Sequence, residues 1–312
     1  MSFLSAVAVV SFLSLFGQAQ TESPTSNQTS PAQQDAAPTN LGDVEVTARR
    51  LETQVQSFIN DVAAPAKGRG LARWDRSICV GVTNLDGRYA QFMIDRVAQT
   101  ASAVGLDIGA PGCRPDIMII ATSNGRELAT KLVDDNPSGF RPSRSNTDLG
   151  SAALERFKSS DAAVRWWHVS LPVSVDTGDI AVRLDGEEAP NIAVRDASRL
   201  RSNVRDDLAR VMIILDVSKI GSVGFGALSD YVAMVALAQI ELGSDATQYD
   251  SVLNLFGPGE KPTGLTQWDR DYLASLYAAR RDRARPDQQS RDIIRGMVGE
   301  RSVRLRAHDP HP

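Results

Sequence analysis

Residues 221–277 read GSVGFGALSDYVAMVALAQIELGSDATQYDSVLNLFGPGEKPTGLTQWDRDYLASLY, and the reading of their first half decides the fold. Across 227–242 the apolar residues Leu228, Tyr231, Val232, Met234, Val235, Leu237, Ala238, Ile240 and Leu242 fall on nearly every side of a 3.6-residue period. A helix apolar all round has to be buried on most faces. The run is too short for a membrane span and carries Asp230 and Glu241, so it predicts a central core helix. The rest of the chain has to supply the layers that cover it.

Working upstream, LARVMIILDV at 208–217 is a strongly apolar strand leading into the Gly-rich turn of Gly221, Gly224 and Gly226. AVRWWHVSLPVSV at 163–175 alternates as a strand, with Trp166 and His168 on one face and Trp167 and Val169 on the other. Short strands at 180–184 and 191–194, separated by Asp185 and Gly186, predict a hairpin. Further back, 78–82 and 116–122 predict strands that flank a helix carrying Tyr89, Phe92, Met93, Val97, Ala101 and Val104, which Gly105 stops. If the two strands are parallel neighbours, their crossover is right-handed. A shorter helix covers 125–133. The Pro- and Gly-punctuated stretch 136–150 predicts a long irregular loop. Downstream, Gly243 stops the central helix, and Thr266 with Asp269 predicts a capping box at the start of a last helix striped by Trp268, Tyr272, Leu276 and Ala279.

The expected fold class is therefore α+β: a mixed sheet packed against helices, in one domain over 73–285, with a helical lead-in over 51–72. Length and composition agree, since 312 residues with 42% hydrophobic content suffice for a sizeable core. The first twenty residues, MSFLSAVAVVSFLSLFGQAQ, predict a secretory signal peptide over 1–19 although no Lys or Arg precedes Arg49. Residues 20–50 predict a disordered linker, its Gln/Ser/Thr/Pro-rich part followed by the extended segment VEVTARR at 44–50. The Arg-rich end, interrupted by Asp282, Asp287, Asp292 and Glu300, predicts a loosely ordered basic tail over 286–312. A net charge of −4 gives no case for nucleic acid as a partner. No transmembrane span is expected in the mature chain.

Cys79 and Cys113 are the only cysteines, and in an exported protein an even pair predicts one disulfide. Closing a loop of about 35 residues stabilises a fold by on the order of 3 to 4 kcal/mol. Zinc at this pair is not expected, because a structural site takes about four ligands and the only histidines are His168, His308 and His311.

The candidates for chemistry are few. Asp230 is the one carboxylate near the start of the apolar helix, where it suits the positive dipole end as a first-turn residue or, with the 136–150 loop, could form an atypical hydrolytic site. His168 could act as a general base, although a lone strand histidine more often makes a structural hydrogen bond. The order G-x-x-G-x-G over 221–226 differs from the dinucleotide fingerprint, which leaves phosphate binding there as a remote option. Asp245, Asp250, Asp269 and Asp271 lack the spacing of a calcium loop and read as turn and cap residues. No Gly-x-Ser-x-Gly occurs. No cofactor or metal is expected.

The segments SDYVAMVALAQI (229–240), LGSDATQYDSVLN (242–254) and GLTQWDRDYLASLY (264–277) together resemble the C-terminal part of a poorly characterised family of secreted bacterial proteins with a zincin-like, peptidase-like pattern. A weaker similarity covers 73–122, including WDRSICVGV. In that family the buried helix carries Glu or His residues that would present a metal or a base. Here the same helix carries Asp230, Tyr231 and Gln239, and His-Glu-x-x-His occurs nowhere in the chain. The resemblance implies a related scaffold without the inherited activity. The expected function is that of an exported cell-envelope protein, periplasmic or secreted, that binds an unidentified partner or ligand.

Overall fold

The longest strand, β6 (Val204–Asp216), organises the sheet in the computed structural model, which describes residues 41–195 and 198–308. β6 pairs in parallel with β4 (Ile117–Thr122), from Ile117 opposite Val211 to Thr122 opposite Asp216. β4 in turn pairs in parallel with β2 (Val80–Thr83), and the predicted strand–helix–strand unit is completed by α2 (Gly87–Ala103). On its other side β6 pairs antiparallel with β5 (Val164–Ser174), giving a mixed sheet of order β2-β4-β6-β5. β5 is an edge strand, which is where Pro172, lacking an amide hydrogen, is tolerated. A small parallel pair, β1 (Ser77–Ile78) with β3 (Asp107–Ile108), sits beside the disulfide Cys79–Cys113.

Alternation along the strands divides the core into two layers. Ile117, Ile119, Val164, Trp166, Val211, Ile213 and Leu215 belong to the cluster formed with α2 and α6 (Phe225–Leu237). Trp167, Val169 and Ile214 belong to a second cluster with α3 (Gly125–Asp135), α4 (Pro137–Phe140) and α5 (Gly150–Ser159). Every residue of α6 from Ala227 to Leu237 is buried. Outside α6 lie α1 (Leu41–Val62), a 3-10 turn (Val252–Phe256), α7 (Gln267–Ala278) and α8 (Pro286–His308). Phe58 of α1 is the aromatic hub there, edge-on to Tyr249 at 5.0 Å, Tyr272 at 5.1 Å and Trp268 at 5.5 Å. The capping box of Thr266 and Asp269 is present at the start of α7.

Five expectations need correction. The central helix stops at Leu237 rather than at 242 because residues 238–241 exchange helical bonds for pairing with the chain after α1. Ala64 N donates to Gln239 O, Glu241 N donates to Val62 O, and Trp166 Nε1 donates to Ile240 O at 2.8 Å. The stretch 44–50, read as extended within the linker, belongs to α1, while the lead-in beyond Val62 is not helical. The hairpin over 180–194 does not form: Ile180 bridges back to Val173, and Asp185 N donates to Pro142 O. The loop 136–150 begins with the one-turn helix α4. The basic tail is helical to His308, and burial of Ile293, Ile294 and Met297 carries the domain past 285, just as Val55 and Phe58 carry it upstream of 73. The expected signal peptide over 1–19, the linker over 20–40 and His311 lie outside the described residues. No described helix is long and apolar enough to cross a membrane.

Candidate functional site

Asp230 lies on α6 and is 2% exposed, but it faces α2 rather than a cleft. Arg96 of α2 grips it with two hydrogen bonds, Nε to Oδ1 at 2.9 Å and Nη2 to Oδ2 at 2.5 Å. Leu265 N adds a third at 3.0 Å. A Cβ on Gly264 would stand 2.4 Å from Oδ2, so the chain approaches the carboxylate this closely only as glycine. A buried carboxylate satisfied by a two-pronged guanidinium and an amide is held as a structural anion. It ties α2, α6 and the segment before α7 together. This replaces the expected first-turn role by a tertiary one.

His168 is equally committed. Its register on β5, opposite Val211, turns it toward α6, where Nε2 lies 2.7 Å from Val235 O. A carbonyl only accepts, so Nε2 carries the proton. Burial pushes the imidazole down to about 4, against a smaller opposing pull from the Val235 carbonyl. The ring is a neutral strut between sheet and helix.

Asp230 and the 136–150 loop are not brought together. Phe140 packs in the cluster on the α3–α5 face of the sheet, whereas α6 covers the other. Within the loop, Asp148 is turned inward on Arg141 and Gly150 N. The Gly-rich turn places Gly224 as the N-cap of α6 with no side-chain cap, and the nearby Lys219 is paired with Asp161. Asp245 closes a turn on Thr247, Asp269 serves the capping box, and Asp271 meets Gln267 and Arg304. Among the described residues no group of three or more His, Cys, Asp or Glu side chains could hold a metal ion together.

The structure instead assembles a cleft that sequence reasoning did not single out. A cavity of about 200 Å³ opens where the segment before α8 crosses the end of β6, and it is lined by Arg69, Asp206, Arg281, Arg283, Arg285 and Gln289. Arg69 and Gly70 N both bind the Asp206 carboxylate. Gln289 closes the floor with two bonds to Leu71, accepting from its N–H at 2.9 Å and donating to its carbonyl at 3.0 Å. Gly70 is needed for that approach, since a Cβ there would stand 2.6 Å from Gln289 Oε1. Arg281 reaches Asp75 at 2.6 Å and also Asp207, and Arg205 binds the same two aspartates. Burial, then the positive charges of Arg205 and Arg73, pull Arg281 down to about 10, with Asp75 pulling the other way. A second groove of about 710 Å³ between α1 and α8 shares Arg283 and continues past Arg291 and Arg295. The sequence signal was the basic run RRDRARP at 280–286, but the aspartates that fix Arg281 lie 206 and 74 positions away.

No family model, no curated protein and no solved structure matches this chain. The peptidase-like resemblance therefore rests on the segments quoted for it.

Proposed function

We propose that this chain is an exported cell-envelope protein that acts by binding a partner or ligand, on a degenerate peptidase-like scaffold without catalytic work of its own. The observation that carries this reading is the commitment of both candidate proton-transfer groups to structural bonds. Asp230 is spent on Arg96 and Leu265, and His168 on Val235. A general base needs a free lone pair within reach of a substrate proton. Export is supported by the apolar run and small-residue pattern of 1–19 and by the disulfide, which persists in an oxidising compartment such as a periplasm.

Two experiments test the two halves. Purified full-length protein is assayed against peptide, ester and glycoside substrates beside Asp230→Asn and His168→Gln variants. Turnover that disappears in either variant while the fold persists would overturn the non-catalytic half. Residues 1–19 are fused to a reporter enzyme that needs disulfides to be active. An inactive reporter retained in the cytoplasm would overturn export.

A further inference from the structure

We propose that the arginine-lined cleft at the start of α8 is a binding site for a phosphate group, either free or carried on a monoester. The inference gives a ligand class to the binding reading above and rests on that reading. Its basis is an imbalance of charge held in a fixed geometry. Among the described residues, four arginines (Arg69, Arg73, Arg205 and Arg281) gather around three aspartates (Asp75, Asp206 and Asp207). Two further arginines of the cleft, Arg283 and Arg285, share their aspartates with arginines of the neighbouring groove: Arg283 shares Asp292 with Arg295, and Arg285 shares Asp287 with Arg291. Asp282 is taken by Arg280. In the inner group and at Asp292 and Asp287 one guanidinium charge is left without a carboxylate of its own, whereas Arg280 and Asp282 balance.

Donors are left over along with charge. Arg283 spends Nε and Nη2 on Asp292, at 2.7 and 2.8 Å, which leaves Nη1 for a ligand. Arg285 meets Asp287 through Nε at 3.4 Å, and its side chain is 67% exposed at the mouth. Arg69 and Arg281 are pinned at 16% and 13% exposure, so the inner wall is already ordered and its positive field costs no rearrangement when an anion arrives. The 23-residue helix α8 begins at Pro286 on the cleft wall and adds its positive dipole end to the same side. Planar guanidinium forks match the oxygen spacing of phosphate, and a dianion answers an excess of more than one cation better than a single carboxylate does. A concave site with an excess of one sign of charge, here four arginines against Asp206, also concentrates the opposite ion from solution.

The test is calorimetric titration of the full chain at low ionic strength with inorganic phosphate, with glycerol phosphate as the monoester and with acetate. Saturable binding of one phosphate species per chain is expected, with acetate much weaker. Arg285→Ala, at an exposed position, should weaken phosphate about tenfold while the thermal melt stays unchanged. Arg88→Ala removes an equal charge from an arginine that is 91% exposed on α2, and should leave binding as it was. Tighter inorganic phosphate identifies the free ion as ligand, and a tighter monoester identifies a ligand-borne phosphate. Three outcomes overturn the proposal: no saturable binding of either phosphate, acetate binding as tightly as phosphate, or equal affinities in the Arg285→Ala and Arg88→Ala variants. A flat titration would remove the phosphate ligand yet leave the non-catalytic reading standing, since that reading falls only on turnover.

Discussion

Arg96 on α2 and Asp230 on α6 are joined by two parallel hydrogen bonds across 134 positions of sequence, and the buried partner is the acid, at 2% exposure, while the base is about a third exposed. The asymmetry sets the order of two mutational effects. Arg96→Met strands a buried carboxylate with only the Leu265 amide, and is expected to cost about 3 kcal/mol. Asp230→Asn leaves a guanidinium that can turn to water, and is expected to cost about 1 to 2 kcal/mol. Urea unfolding of the two variants at neutral pH checks the order, and an Asp230→Asn loss larger than that of Arg96→Met would contradict this account of the pair.

His168 predicts an acid-sensitive fold. Its folded-state pKa of about 4 lies below the ordinary 6.5, so as pH falls the unfolded chain takes up the proton first. The stability it carries is therefore complete above pH 6.5, declines between 6.5 and 4, and is lost below 4. The integrated effect is about 3 kcal/mol. His168→Gln keeps a donor for Val235 O without a titrating ring. Subtracting its stability curve from that of the parent chain should isolate this slope; a difference flat between pH 4 and 6.5 would show that the ring does not titrate as described.

The disulfide is expected to matter through the unfolded chain. Cys79 and Cys113, 34 positions apart, join the entry of β2 to the segment before β4. Replacing both with serine should lower stability by about 3 to 4 kcal/mol in the chain-entropy account. The same loss should follow reduction of the parent protein, measured as a downward shift in melting temperature. A melt indifferent to reductant would count against any stabilising role.

The C-terminal helix should prove part of the core. Met297 and Ile293 are fully buried among residues of the main cluster. Met297→Ala is expected to cost about 2 to 4 kcal/mol. A chain ending at Arg285 should lose its cooperative melt, and a truncated protein that still unfolds sharply at the parent temperature would restore the reading of this segment as a loose tail.

Much of the secondary structure was legible because it is written in local chemistry. Gly105 follows the end of α2 with φ of +84°, Thr266 and Asp269 form their reciprocal cap, and the alternation over 163–175 put Trp166 and Trp167 on opposite faces. The errors fall where a distant partner outbids a local preference. Residues 238–241 have the periodicity to extend α6, but the backbone after α1 offers them hydrogen bonds that end it. The 286–308 segment looks solvated by its charge count, yet Ile293, Ile294 and Met297 meet the main core, while Val303 stays exposed.

The functional residues divide in the same way. The sequence carries neither His-Glu-x-x-His nor Gly-x-Ser-x-Gly, and it named Cys79, Cys113, Asp230 and His168 as the residues to look at. Which part each plays was decided by contacts between segments far apart in the chain: Arg96 for Asp230, Val235 for His168, and Asp75, Asp206 and Asp207 for the arginines of the α8 cleft. Caps, turns and hydrophobic periods act over a few residues and survive in the linear order. Charge pairing depends on distances through space, which packing of the sheet against its helices alone establishes.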